Sequence, residues 1–195
     1  MSQSNYGIAE MIINVGYVLR TKIIVPKARM IRFPVIFRGK KYIDFGSRIT
    51  MGARCRLEVH GDHEDKRLIF GRNVNMGYDV RISCSDRIEI GNDVLMGSRV
   101  LIIDNSHGKY TGENQDNPNT PPNQRELVTK PIKIEDNVWI GENSVVQMGV
   151  TIGYGSIIAA NSVVTKDVPA MSMVAGAPAR VIKTYDENLG EWRKV

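Results

Sequence analysis

A six-residue repeat runs through most of the chain and limits what it can fold into. From Ile134 onward the sequence reads "IEDNVW", "IGENSV", "VQMGVT", "IGYGSI", "IAANSV" and "VTKDVP". Two earlier sets, "FGSRIT" to "LEVHGD" and "FGRNVN" to "IIDNSH", bring the total to fifteen hexads, one of them with two extra residues. An apolar residue opens almost every hexad. The fold must therefore place an apolar side chain inward at every sixth position.

A period of six excludes an α-helix, because 3.6 residues per turn would spread these apolar residues around the cylinder. It indicates short strands joined by tight turns, with the first and fifth residues pointing inward. Gly, Asn and Asp after the opening residue suit such turns because they tolerate positive φ. Three strands close one coil of a prism. The sequence therefore predicts an all-β, parallel β-helix of about five coils, roughly 24 Å tall.

The repeat also divides the chain. Residues 43–169 are predicted to form the β-helix, and a solenoid of this kind needs a cap at each end. Residues 1–42 are predicted to be an N-terminal cap with a short helix between Ile8 and Leu19, and 170–195 a C-terminal cap or tail. The step from Ile102 to Ile134 is 32 residues where the repeat needs six, so 106–131 is predicted to be a long protruding loop. Loops of this length inside a compact repeat are typically functional.

Composition and charge restrict the partners. Only two cysteines occur, Cys55 and Cys84, which suits a reducing compartment and predicts a cytoplasmic protein. The segment Ile8–Leu19 is too short and polar for a membrane span or signal peptide. Net charge is +5, and residues 20–41 hold eight Lys and Arg and no acidic residue. That stretch is either a solvated cap or a contact site for phosphates, an acidic substrate or the inner face of the membrane. It lacks interleaved aromatics, so nucleic acid is not the predicted partner.

Several segments resemble the hexapeptide-repeat acyltransferases. The stretches "IEDNVWIGENSVV", "GVTIG", "NSVVTKDVPA" and "VAGAPARVIK" are similar to that family's cofactor-side signature. The stretch "DNSHGKYTGENQDNPNTPPNQRELVTKPI" resembles O-acetyltransferases of surface-polysaccharide (lipopolysaccharide, O-antigen) biosynthesis. The resemblance implies a left-handed coil and a homotrimer with active sites between subunits. It also implies acetyl-CoA as co-substrate, no metal, and direct acetyl transfer to a sugar hydroxyl in a ternary complex.

The resemblance assigns roles to individual residues. His107, at the root of the long loop, matches the general base that removes the hydroxyl proton, a task that suits imidazole. A main-chain N–H at Glu142, where the family often has Ser, is expected to stabilise the oxyanion. The residues that match the coenzyme A path are Trp139, Glu142, Ala160, Thr165, Lys166, Arg180 and Lys183. The candidates for acceptor contacts are Tyr78, Asp79, Ser85, Asp86 and Asp104, and Asp104 could also orient His107.

Three alternatives stay open on sequence grounds. An acetyltransferase could act on an amino sugar or on a small-molecule or xenobiotic acceptor. A β-helical carbonic anhydrase would need three histidines around zinc, and the chain has only His60, His63 and His107. A non-enzymatic scaffold would need neither the long loop nor the cofactor signature.

Overall fold

A computed structural model describes residues 7–195. In this part of the chain, one helix, α1 (Ile8–Ile24), precedes a series of short strands, with 3-10 turns at Lys40–Tyr42 and Pro122–Gln124. The strands are β1 (Met30–Ile31), β2 (Ile36–Arg38), β3 (Ile43–Asp44), β4 (Thr50–Met51), β5 (Arg56–Val59), β6 (Leu68–Phe70), β7 (Asn75–Met76), β8 (Arg81–Cys84), β9 (Ile88–Ile90), β10 (Leu95–Met96), β11 (Leu101–Ile103), β12 (Asn105–His107), β13 (Leu127–Thr129), β14 (Ile132–Ile134), β15 (Trp139–Ile140), β16 (Val145–Val146), β17 (Thr151–Ile152), β18 (Ile157–Ile158), β19 (Val163–Val164), β20 (Ser172–Gly176), β21 (Ala179–Asp186) and β22 (Glu191–Lys194).

Most of these strands form three parallel sheets. Face A contains β1, β4, β7, β10, β15, β18 and β20, face B contains β2, β5, β8, β11, β16 and β19, and face C contains β3, β6, β9, β14 and β17. Consecutive strands visit faces A, B and C in turn, which is the path of a β-helix and confirms the predicted parallel architecture. The first coil, β1 to β3, precedes the first hexad. The structure therefore has one coil more than the repeat count suggests.

The repeat positions have distinct physical roles. First and fifth residues are buried, as predicted: Ile140 and Ser144 are both 0% exposed. Positive φ is found at the fourth residue, for example 59° at Asn143, a region that Asn tolerates. The glycine at the second position has another cause. A Cβ on Gly141 would lie 2.5 Å from the backbone nitrogen of Ala160, so this glycine reflects close stacking between coils and not the turn.

The interior of the prism is a continuous apolar core. Its largest fully buried side chains include Ile31, Leu57, Ile82, Ile102 and Ile140, which come from successive coils. Each such side chain stabilises the fold by about 1.5–3 kcal/mol relative to an exposed one. Neighbouring coils share this core, so no coil buries its apolar residues alone.

Helix α1 extends five residues beyond the predicted end at Leu19. Its C-terminal turns are docked: the Thr21 hydroxyl accepts a hydrogen bond from the Ile31 amide at 2.8 Å, and the Lys40 ammonium donates to the Ile24 carbonyl at 2.8 Å. Its N-terminal turns expose apolar side chains, including Ile8 at 80% and Ile12 at 68%. Within residues 7–195, no helix is long and apolar enough to cross a membrane.

Two segments leave the parallel path. Strands β12 and β13 pair antiparallel, and residues 108–126 connect them. This connection is braced from within, because the guanidinium of Arg125 donates to the Thr120 carbonyl at 2.8 Å and the Tyr110 hydroxyl at 2.7 Å. At the C-terminus, β20, β21 and β22 form antiparallel pairs that extend face A. The first departure lies within the segment predicted as a long loop, 106–131, where the structure has a hairpin, and the second lies in the predicted C-terminal segment.

Candidate functional site

His107 ends β12 and lies at the edge of an open groove on face B. The groove has a volume of about 540 Å³, and its polar lining is formed by His60, Arg81, Ser83, Ser85, Asn105, Ser106 and His107. Ile103 and Leu127 complete the wall. His107 is exposed, and its own carbonyl accepts a hydrogen bond from the Tyr110 hydroxyl. The backbone of His107 is thus held by strand pairing with Leu127 and by the Tyr110 hydroxyl, while the side chain is exposed and lines the groove.

A ladder of polar side chains crosses the groove from coil to coil. His60, Ser85 and Asn105 each follow a face B strand at the same step of the repeat. The Asn105 amide donates to the Ser85 hydroxyl at 3.0 Å, and the His60 Nε2 lies 3.2 Å from the hydroxyl of the buried Ser83. Hydroxyl, amide and imidazole groups are what a polyhydroxylated ligand needs for hydrogen bonding. The sequence analysis assigned His60 no role in acetyl transfer and missed its place here.

Asp104 is a structural residue, which corrects the prediction that it contacts the acceptor or orients His107. Its side chain is 0% exposed, and its two carboxylate oxygens accept hydrogen bonds from the Ser85 and Asp86 amides, each at 2.8 Å. It therefore fixes the turn in the coil below and is not available to a ligand. Asp136 does the same for the Asn92 amide at 2.7 Å.

The other acceptor candidates separate in space. Ser85 lines the groove beside His107. Asp86 is half-buried, and its carboxylate lies 3.9 Å from the Arg67 guanidinium. Tyr78 and Asp79 lie at the corner between faces A and B, where Asp79 forms a 2.7 Å ion pair with Arg54. Of the predicted acceptor residues, Ser85 is therefore the one that lines the groove with His107.

Part of the predicted coenzyme A path forms a cleft near the C-terminal end. Lys166 and Arg180, both exposed, line a cavity of about 190 Å³ together with Asp167 and apolar residues of β19 to β21. Thr165 is the residue before Lys166, and Lys183 lies further along β21. Two cations at one cleft suit a phosphate-bearing ligand.

Trp139, Glu142 and Ala160 lie elsewhere on the prism. Trp139 is half-exposed on face A, where its register neighbours are Leu95 and Ile157. These three outward side chains make an apolar stripe. Glu142 and Ala160 lie at the corners between faces A and B, and the Glu142 carboxylate is paired with Arg99. The predicted oxyanion donor, the Glu142 N–H, stays a prediction.

Within one chain the predicted site is therefore divided. His107 and Lys166 lie on the side where face B turns into face C, and Arg180, on the face A extension β21, reaches the cleft that Lys166 lines. Trp139 points outward from face A, which is a different side of the prism. A single site that used all of them would have to combine sides from two copies of the chain.

The two thiols are unsuited to covalent catalysis. Burial raises the pKa of Cys55 to about 11. Burial and the neighbouring Asp104 carboxylate raise the pKa of Cys84 well above its usual value. Both side chains are buried, so neither presents a thiolate to substrate. Among residues 7–195, no group of three or more His, Cys, Asp or Glu side chains could hold a metal ion.

Comparison with known proteins connects this geometry to a family. The chain is 36% identical over 190 residues to the Escherichia coli K12 protein WbbJ, provisionally assigned as a lipopolysaccharide biosynthesis O-acetyl transferase. The match covers 97% of this chain and 95% of WbbJ. The chain belongs to the hexapeptide-repeat acyltransferases. Residues 131–166 also match the family model described as the hexapeptide repeat of succinyl-transferase.

Solved structures of acyltransferases share the fold. A variant of the Bacillus cereus N-acyltransferase AntD, in complex with dTDP-4-amino-4,6-dideoxyglucose and coenzyme A, has a TM-score of 0.68 at 20% identity, covering 82% of each chain. A galactoside acetyltransferase in complex with coenzyme A has a TM-score of 0.50 at 28% identity, covering 80% of this chain and 62% of that one. The AntD likeness shows the fold alone.

Proposed function

We propose that this chain is an acetyl-CoA-dependent O-acetyltransferase that acts on a sugar hydroxyl of a surface polysaccharide or its precursor. The observation that carries the proposal is the position of His107 at the edge of a groove lined by hydroxyl, amide and imidazole groups. The relationship to WbbJ supports the acceptor class. The coenzyme A complex of a relative supports the donor.

The groove and the cationic cleft lie close to each other along face B. His107 follows β11, and Lys166 follows β19, with only β16 between these two strands. The strands β11 and β19 are therefore two strand spacings apart, which is roughly 10 Å. Lys166 and Arg180 would hold phosphates of coenzyme A, and the acetyl thioester supplies the activated acyl group. Trp139, Glu142, Ala160 and Thr165 would line the rest of the donor path, with Lys183 a more distant cation.

In this proposal His107 acts as the general base. Its unprotonated ring nitrogen takes the proton from the acceptor hydroxyl as that oxygen attacks the acetyl carbonyl. The resulting imidazolium then gives the proton to the departing thiolate, so the base is regenerated. The hydroxyl of Ser85 and the amide of Asn105 would orient the sugar. No nucleophilic residue is needed, which agrees with the inaccessible thiols.

The proposal includes a left-handed coil and a homotrimer with sites between subunits. Support for the trimer comes from the division of the site residues between different sides of one prism. The exposed apolar stripe at Trp139 is a second argument, because such patches commonly mark contact surfaces. The segment 106–131 would lie against the neighbouring subunit, and 170–195 would cap the end and supply Arg180.

The N-terminal region adds a proposed contact with the inner face of the membrane. Helix α1 exposes Ile8, Met11 and Ile12, and the basic stretch 20–41 begins in its last turns. An apolar helix beside cationic residues suits the surface of an anionic bilayer. Cosedimentation with vesicles containing anionic lipid, and not with neutral vesicles, is expected. Equal binding to both would remove the electrostatic part of this proposal.

The proposed reaction is tested by the mass of acceptors after incubation with acetyl-CoA. Oligosaccharides and lipid-linked sugars should gain an acetyl group that mild alkali removes, since esters hydrolyse under conditions that leave amides intact. An alkali-stable acetyl group on an amino sugar would show the N-acetyl alternative instead. If no sugar gained an acetyl group but small-molecule alcohols did, the assignment of a sugar acceptor would be wrong.

A further inference from the structure

A buried carboxylate gathers three arginines on face B. Glu58 on β5 is 0% exposed, and its Oε1 lies 3.0 Å from guanidinium nitrogens of both Arg38 and Arg56. Its Oε2 accepts a hydrogen bond from Arg81 at 3.2 Å. The three arginines come from the adjacent strands β2, β5 and β8. One carboxylate thus holds three guanidinium groups together, with two positive charges in excess.

The arginines keep much of their surface free. The exposed fractions of their side chains are 59% for Arg38, 40% for Arg56 and 48% for Arg81. Each guanidinium has five N–H donors, and the contacts with Glu58 use only some of them. The cluster therefore offers preorganised donors to a further anion.

The cluster adjoins the groove that contains His107. Arg81 itself lines that groove, and no carboxylate does. On face B, Arg81 is paired with Leu101 of β11, the strand that leads to His107. The cluster thus lies on the N-terminal side of His107, whereas Lys166 and Arg180 lie on the C-terminal side. Two separate cationic sites flank the proposed base.

We propose that Arg38, Arg56 and Arg81, held by Glu58, bind a phosphate group of the acceptor. Guanidinium groups recognise phosphate with paired hydrogen bonds, and Glu58 positions them without filling their outer donors. The acceptor is then a sugar linked to phosphate or diphosphate, and not a neutral saccharide. This inference rests on the proposed function for the identity of the reaction, but the anion site itself does not.

The anion site is tested by calorimetric titration of inorganic diphosphate into the protein saturated with coenzyme A, so that the donor cleft is filled. We expect binding by the parent and an affinity at least tenfold lower for Arg81→Gln and for Arg38→Gln. Arg72→Gln is the matched control, because Arg72 is 57% exposed and paired with Asp93 at another corner. Thermal unfolding shows whether each variant is folded. If Arg81→Gln does not fold, the affinity of Arg38→Gln for diphosphate decides the test.

The result that overturns the site is an unchanged affinity in Arg38→Gln, an equal loss in Arg72→Gln, or no binding by the parent at millimolar diphosphate. None of these results depends on catalysis, so failure here and failure of the proposed reaction can be told apart.

Acceptor kinetics then identify the source of the phosphate. Sugar 1-phosphates, nucleoside diphosphate sugars and lipid diphosphate sugars are compared with the methyl glycosides of the same sugars. We expect a lower KM for at least one phosphorylated form, and Arg81→Gln should raise that KM at least tenfold with little change for acetyl-CoA. The preferred form identifies the source. Equal KM values for phosphorylated and neutral acceptors would overturn the inference while leaving acetyl transfer intact.

Discussion

Glu58 shows how a single buried charge shapes the protein at the residue scale. Burial alone would raise the pKa of its carboxyl group, but Arg56 and Arg81 outweigh burial and hold this pKa below its usual value. The ionised form is therefore the one that stabilises the fold. Its contribution is complete above the unfolded-state pKa of about 4.3 and is lost as pH falls through the lower folded-state pKa.

Glu58→Gln should lower the free energy of unfolding at neutral pH by about 2 kcal/mol, the scale for losing hydrogen bonds to a charged group. The same substitution should flatten the loss of stability between neutral and acidic pH, because the titrating group is gone. Urea unfolding at several pH values measures both effects. Glu135→Gln is the control, since the Glu135 carboxylate pairs with the largely exposed Lys133 and should contribute less. If Glu58→Gln and the parent lost stability in parallel on acidification, folding would not lower the pKa of the Glu58 carboxyl group, and the account of its pairing with the arginines would be wrong.

The sequence identified the residues that point into the core, but not the contacts between side chains of neighbouring coils. The burial of Ile140 and Ser144 follows from the period alone. The place of His60 depends on register between coils, which two insertions obscure. The signal was present, because "LEVH", "ISCS" and "IIDN" align His60, Ser85 and Asn105 at one step. Asp104 could likewise have been recognised as structural, since Asn92 and Asp136 occupy the same third position of their hexads.

At the element scale, the cleft between the end of β19 and strand β21 is the proposed binding site for the phosphates of coenzyme A. Lys166→Ala and Arg180→Ala should each raise the KM for acetyl-CoA several-fold more than they lower kcat. Phosphate contacts remote from the thioester stabilise ground and transition states alike, so their loss appears in KM. Steady-state kinetics at two salt concentrations measure this. Higher salt should reduce the difference in KM for acetyl-CoA between the parent and the variants, because exposed charges are screened.

A donor without the 3′-phosphoadenosine part is the control for this cleft. It should bind the parent more weakly yet be nearly indifferent to both substitutions. Lys133→Ala, which removes a cation from face C, should leave the KM for either donor unchanged. Should both cleft variants still discriminate against the truncated donor as strongly as the parent, the nucleotide end of coenzyme A would lie elsewhere.

The elements themselves were predictable wherever the hexad is regular. The first coil was not, because "MIRFPVIFRGKKYI" lacks the apolar-Gly step that marks later coils. The interruption after Ile102 was predicted as a loop from its composition. Its antiparallel hairpin was not, since strands β12 and β13 have only three residues each and no tight-turn signal connects them.

At the scale of the whole molecule, the three-sided shape separates residues that the proposed reaction needs together. A mixture of His107→Ala chains and Trp139→Ala chains should regain part of the activity, because some interfaces then combine an intact His107 with an intact Trp139. Activity of mixtures reassembled at several ratios measures this. Each homogeneous variant assembled the same way is the control. If one chain supplied both residues to each site, no mixture would exceed the sum of the two variants.

The trimer itself is open to a direct physical test. Light scattering at micromolar concentration should give three times the chain mass of 21.8 kDa. A stable and active monomer would remove both the trimer and the shared site.

The most direct test of the central claim is the turnover of His107→Ala. We expect kcat to fall at least ~100-fold, as loss of a general base typically causes, while the trimer and acetyl-CoA binding persist. His63→Ala is the matched control, since the His63 ring packs on Tyr42 outside the groove, and it should stay within a few-fold of the parent. Activity of His107→Ala within a few-fold of the parent would contradict the account.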